Sequence, residues 1–184
     1  MQRPTPWTLL IVVAALTGLF FSAYSTSDFV AHLDRQVHGI HCSFLPGIEA
    51  TDVSGSTGCH TTLMSPYSSV FRDATWGGLP VSLPAMGVFA FLLFFAAALP
   101  ILGWQRERRA TGFLVLGTLL PVLTSLGMGY LSIVTLDAVC KLCIGIYAAS
   151  VVSFIGALVQ WRRARTSAEV EGQAPLSYQR LGLA

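Results

Sequence analysis

Apolar and polar residues in this chain are segregated into long blocks instead of alternating at short range. Four apolar runs stand out, Trp7 to Tyr24, Leu79 to Gly103, Thr111 to Val134 and Cys143 to Trp161. Each is near or above the roughly 18–20 residues needed to cross a bilayer as a helix. None carries an acid or a base, which excludes an intramembrane ion path or proton relay of the usual kind. Trp7 and Tyr24 bracket the first run, and Trp104 and Trp161 close the second and fourth, where an interfacial aromatic belt belongs. The pattern predicts an all-α, polytopic membrane four-helix bundle with a large outward-facing loop between helices 1 and 2. The first run is longer than the roughly 7–15 apolar residues of a signal-peptide core, so it reads as a retained helix.

Composition strengthens the membrane reading. Of 184 residues, 53% are hydrophobic and 11% charged, against about 25% charged in soluble domains. Basic residues are unevenly placed. Arg3, Arg106, Arg108, Arg109, Arg162, Arg163, Arg165 and Arg180 fall in the N-terminus, the second connection and the tail, whereas Arg35, Arg72 and Lys141 are the basic residues of the other two connections. The positive-inside rule then predicts cytoplasmic termini and an outward-facing first and third connection. The organisation expected is a transmembrane domain over residues 1–165, with an extracytoplasmic loop at 25–78, and a polar, partly disordered cytoplasmic tail at 166–184. Pro80 and Pro84 are expected near the start of the second helix, and Pro100 to kink or end it. Gly117, Gly127, Gly129 and Ser125 offer small surfaces for close packing of the third. No internal repeat, phosphate-binding glycine loop or nucleic-acid signature is present.

The candidate chemistry lies outward. Residues 25–78 hold His32, His38, His41 and His60, the acids Asp28, Asp34, Glu49, Asp52 and Asp73, and the cysteines Cys42 and Cys59. The stretch between those cysteines is rich in Gly, Ser and Thr and reads as a flexible loop. The segment after Cys59 reads either as a partial helix on the membrane surface or as an irregular loop. A zinc site from His41, Cys42, Cys59 and His60 has acceptable ligand types, but it leaves the other cysteine pair unexplained. Cysteines that only brace the loops of a non-enzymatic membrane protein are a further alternative.

That other pair is Cys140 and Cys143, in "DAVCKLCIGIYAAS". With Asp137 as the helix cap, Cys140 falls in the first turn of the fourth helix and Cys143 one turn further in. Residues three apart share a helical face, so the two sulfurs can meet. The helix N-terminus and Lys141 favour thiolate, making Cys143 an activated nucleophile at the edge of the hydrocarbon layer. A lipid-soluble electron acceptor suits that position. All four cysteines then lie on the outward, disulfide-permissive side.

The chain resembles the vitamin K epoxide reductase family. The resemblance is carried by Cys42 and Cys59, by "SPYS" at Ser65 to Ser68, by "GLPVSLPAMG" at Gly78 to Gly87 and by "CKLCIGIY" at Cys140 to Tyr147. It spans roughly Trp7 to Trp161. The DsbB-type quinone reductases, which run similar chemistry on four helices, carry their Cys-x-x-Cys in the first outward loop and are the second choice.

The resemblance implies a bacterial-type enzyme of the inner membrane that generates disulfides. Cys143 would attack or donate to a bound quinone (ubiquinone, menaquinone or another naphthoquinone) and Cys140 would resolve it. Cys59 would then exchange with Cys140, and Cys42 with a separate thioredoxin-fold, DsbA-like dithiol protein. Tyr147 matches the position that hydrogen-bonds a quinone oxygen, and Ser65 matches a serine associated with the active site. Two departures stand out. The spacing from Cys42 to Cys59 is longer than the family's usual one, and Leu83 stands where animal members have a quinone-binding asparagine. Epoxide reduction is therefore not expected.

Overall fold

The computed structural model describes residues 3–33, 61–62, 65–71, 78–137 and 140–173. Four long helices form an all-α bundle: α1 (Pro6–Leu33), α2 (Ser82–Leu102), α3 (Arg108–Tyr130) and α4 (Lys141–Gln173). α2, the shortest at 21 residues, rises about 30 Å, the thickness of the hydrocarbon core. All four contain stretches long and apolar enough to cross a membrane. Their outward faces carry large exposed apolar residues such as Phe94, Leu116, Leu126 and Ile133. Such a surface is satisfied by lipid and not by water. The chain is an integral membrane protein.

α1 and α4 are the spine of the bundle. α1 packs along both α2 and α4, α4 also packs along α3, and the α2–α3 seam is the thinnest. The main core draws Ile11 and Ala15 from α1, Phe89, Leu92, Ala96 and Leu99 from α2, Leu114 from α3, and Ala149 and Ala157 from α4. Close approach depends on glycines other than those expected from the sequence. A Cβ on Gly18 would collide with the buried Phe89 ring, and one on Gly156 would lie 2.8 Å from Ile11. Among the expected positions, Gly117 does face Leu92 closely and Gly129 lies against Tyr147, but a Cβ on Gly127 would meet open space.

α1 runs well past the apolar block, to Leu33. The polar residues that end the block still fit a helix, because their hydroxyls bond its own carbonyls: Thr26 donates to Ser22 O at 2.8 Å and Ser27 to Tyr24 O at 2.8 Å. Hydropathy fades there, yet one face stays buried through Ser22, Ser25 and Phe29. α2 passes Pro100 and ends on Gly103, whose left-handed backbone (φ 76°) lets its N–H reach Leu99 O.

A 3-10 turn, Trp104–Arg106, links α2 to α3. Its buried Gln105 ties the Arg-rich end of the bundle together. Gln105 Oε1 accepts from Thr5 N–H at 2.9 Å and from Thr8 Oγ1 at 3.1 Å, and Nε2 donates to Arg3 O at 3.1 Å. Thr8 also approaches Gln160 on α4 at 3.4 Å, and the Arg163 guanidinium sits 5.3 Å over the Trp7 ring. Each such buried bond contributes about 1 kcal/mol.

At the opposite end a two-residue antiparallel ladder joins β1 (Ser69–Val70) to β2 (Leu79–Pro80). It is extended by Val81 N–H to Ser68 O at 2.9 Å. Within the segment after Cys59, Thr61 and Thr62 are helical, while Ser65 to Phe71 is a turn and strand fastened to the start of α2. α3 gives way to a π-helical turn at Leu131–Thr135, closed by Leu136 N–H to Leu131 O at 3.1 Å. The sequence gives no sign of this turn. Past the apolar span that ends at Ala164, α4 remains helical to Gln173.

Candidate active site

The start of α4 differs from expectation in one respect that matters for chemistry. Asp137 does not cap the helix; its backbone is left-handed (φ 44°). The cap is Cys140. Its carbonyl takes the first helical bond, from Ile144 N–H at 3.1 Å, and its Sγ accepts Cys143 N–H at 3.5 Å. That is the position where a Ser or Asp side chain would normally accept the amide three residues on, here filled by sulfur.

Cys140 and Cys143 are free thiols brought together on one helical face. Cys140 is 1% exposed, while Cys143 is half-buried. The Cys143 thiol donates to Cys140 Sγ, and the amides of Cys143 and Leu142 add to it. Against burial and the Asp28 carboxylate, which push the other way, these donors hold the Cys140 thiol down from its ordinary value of 9.0 to about 7. The Cys143 thiol, helped by the capping amides and not by Lys141, thus lowers the thiol value, and it does so at Cys140.

A folded-state value below the ordinary one means that the charged sulfur stabilises the reduced, folded protein fully above pH about 9. That contribution fades as the pH falls through about 7. The thiolate ultraviolet absorbance of the reduced protein is accordingly expected to rise with a midpoint near pH 7, and Cys140→Ser to remove that step. A single rise near pH 9 would refute the capping account.

Beneath the pair lies a small apolar cluster. Phe29, Cys140 and Leu142 are buried together, with Phe21, Tyr24 and Cys143 packed on them. Gly145 lets the Phe21 ring come close, since a Cβ there would be 2.6 Å from it. This contact fixes how α4 seats on α1 beside the two sulfurs.

Cys143, and not Cys140, opens onto a cavity of about 260 Å³, just under the roughly 300–1,000 Å³ common for small-molecule sites. All four helices contribute to its wall: Phe29 from α1, Pro84, Val88 and Phe89 from α2, Leu120, Pro121 and Met128 from α3, and Ile146 and Tyr147 from α4. The wall is mostly apolar, with scattered hydroxyls. The Tyr147 hydroxyl donates to Cys143 Sγ, so the sulfur, the phenol and the cavity are contiguous.

Ser65 is 5% exposed and does not line the cavity. Its hydroxyl donates to Thr62 O at 2.8 Å, and its carbonyl accepts the Ser68 hydroxyl at 2.8 Å. Thr62 and Ser68, on either side, do line it. Sequence reasoning did not find Ser25, Ser82, Thr124 or Met128 on the wall. Ser125 is there too, and it also makes the helix contact expected of it, bonding Ser150 on α4 at 3.2 Å. Cys42 and Cys59, with His32, His38, His41 and His60, lie outside the residues whose side chains are described.

A comparison with models of protein families matches residues 9–158 to the vitamin K epoxide reductase family. The chain belongs to that family. A comparison with curated protein sequences finds no match. Membership in the vitamin K epoxide reductase family points to an oxidoreductase, and within the matched span Cys140, Cys143 and Tyr147 form the contiguous group best suited to redox chemistry.

Proposed function

We propose that this protein is a membrane thiol-disulfide oxidoreductase that passes electrons from an extracytoplasmic dithiol protein to a quinone, and so generates disulfide bonds. The observation that carries this reading is the placement of Cys143 on the wall of an apolar cavity within the bundle, hydrogen-bonded to Cys140 on one side and Tyr147 on the other. An acceptor that occupies such a cavity is lipid-soluble and needs few polar contacts, as a quinone ring does.

In the proposed cycle the dithiol of Cys140 and Cys143 is oxidised to a disulfide. One S–S bond forms, and two electrons and two protons go to the quinone oxygens, giving the quinol. Cys143 is the sulfur that faces the quinone, and Cys140 closes the disulfide. Tyr147 lines the cavity beside the sulfur, and its hydroxyl turns from Cys143 to a quinone oxygen when the ring binds. Ser65 supports the site from behind, by setting the turn that carries Thr62 and Ser68. Exchange with Cys59, then Cys42, returns the pair to the dithiol form at the expense of a thioredoxin-fold, DsbA-like partner.

In this reading the Arg-rich end of the bundle, with both termini and the tail at 166–184, faces the cytoplasm of a bacterial cell. Residues 1–165 form the oxidoreductase domain of the inner membrane, and the cysteines and the loop at 25–78 face the periplasm. The quinone is ubiquinone, menaquinone or another naphthoquinone.

The test is direct. Detergent-purified protein given a reduced thioredoxin-fold donor should consume quinone, followed by its absorbance, with one donor disulfide formed per quinol. Absence of turnover with ubiquinone and naphthoquinone acceptors alike would overturn the proposal and return the cysteines to a bracing role.

A further inference from the structure

The hydroxyls around the cavity are almost all committed elsewhere. Thr124 donates to Leu120 O at 3.0 Å and Ser68 to Ser65 O at 2.8 Å. Ser150 gives its proton to Ile146 O at 2.8 Å, so the 3.2 Å contact between Ser125 and Ser150 uses the proton of Ser125. Ser82 accepts from the Thr26 hydroxyl at 2.9 Å, a proton that Thr26 shares with Ser22 O at 2.8 Å. Thr62 has a partner of its own, and Tyr147 donates to Cys143.

Ser25 is different. It lines the cavity, it is 7% exposed, and it makes no hydrogen bond with any of the described residues. A serine in a helix usually satisfies itself on a carbonyl one turn back, as Ser22 does on Gly18 O at 2.7 Å. Ser153, also without a partner, is sealed inside the bundle, whereas Ser25 sits on the wall of a space a ligand can fill. A hydroxyl that reaches an apolar cavity with no protein partner is free to donate to an oxygen of the ligand that fills it.

We propose that Ser25, on α1, is a ligand-binding residue that donates a hydrogen bond to one oxygen of the quinone that occupies the cavity. This rests on the quinone reading above and deepens it, by naming the hydroxyl on the cavity wall that has no hydrogen bond to give up when a ring oxygen arrives.

The experiment is a binding titration of the purified protein with a soluble para-quinone and, separately, with an aromatic ring of the same size bearing no oxygen, together with the KM for the quinone. Ser25→Ala is expected to weaken quinone binding and raise KM roughly five- to tenfold, the loss of one hydrogen bond. The thermal unfolding midpoint should stay near native. Ser25→Thr, which keeps the hydroxyl, should restore most of the affinity, and the oxygen-free ring should bind native protein and Ser25→Ala equally. Equal quinone affinity in native protein and Ser25→Ala would overturn the role of Ser25 while leaving the quinone reading intact. Failure of the native protein to bind any para-quinone would overturn both.

Discussion

Cys143→Ala is expected to lower quinone reduction by at least about a thousandfold, because in the proposed cycle the sulfur facing the cavity takes part in the bond changes themselves. The mutant should remain folded. Cys143 is half-buried at the edge of the cluster made by Phe29, Cys140 and Leu142, and truncating it removes about 1 kcal/mol of packing. The measurement is quinone consumption with a reduced dithiol donor, beside circular dichroism and the unfolding midpoint. Cys140→Ala makes an instructive companion. It should lose turnover as severely and also lose the helix cap, costing about 1 kcal/mol of stability. If Cys143→Ala kept more than a tenth of native turnover, the cavity-facing sulfur would not be the electron donor.

A change that leaves every sulfur in place should be nearly as damaging. Gly145→Val puts carbon where the Phe21 ring already lies 2.6 to 3.0 Å from an added Cβ, so α4 must separate from α1 beside the cysteine pair. Overpacking of this kind costs about 1–3 kcal/mol. A displacement of about 1 Å at a reacting group reduces rate on the order of a hundredfold. Turnover of Gly145→Val is therefore expected to fall about a hundredfold, with a lowered unfolding midpoint. Gly129→Ala is the control, because its Cβ would stand 3.6 Å from Tyr147, in ordinary contact, and activity should stay near native. Adding Phe21→Ala to Gly145→Val should recover part of the rate. No recovery would mean that the α1–α4 seat does not govern the position of Cys143.

The four spans were legible in the sequence because lipid demands long uninterrupted apolar runs, and the placing of Cys140 and Cys143 on one face followed from helical spacing. What hydropathy missed is local hydrogen bonding. Thr26 and Ser27 keep α1 helical after its apolar residues give out, and no window average registers a hydroxyl bonded to its own helix. The cap was read as Asp137, the conventional residue type, yet three residues later the sulfur of Cys140 fills the place because the chain turns left-handed at Asp137. The cavity wall was the least legible part. It is assembled from four helices, and Ser25, Ser82 and Thr124 look like any other small polar residues until those helices are packed. Ser65 was singled out by motif, but its hydroxyl is committed to a turn.

Cys140's position at the head of α4 has an energetic consequence for the direction of electron flow. As a thiolate its sulfur sits in the field of the helix amides; as half of a disulfide it is neutral and that attraction is gone. The difference favours the reduced pair and raises the reduction potential of the Cys140–Cys143 disulfide above that of an uncapped pair, the same effect that makes low-pKa dithiol proteins strong oxidants. In the proposed cycle the helix start therefore draws electrons inward from the outer thiols. The last transfer, out of a pair so favoured in its reduced state, must then be driven by the electron affinity of the quinone.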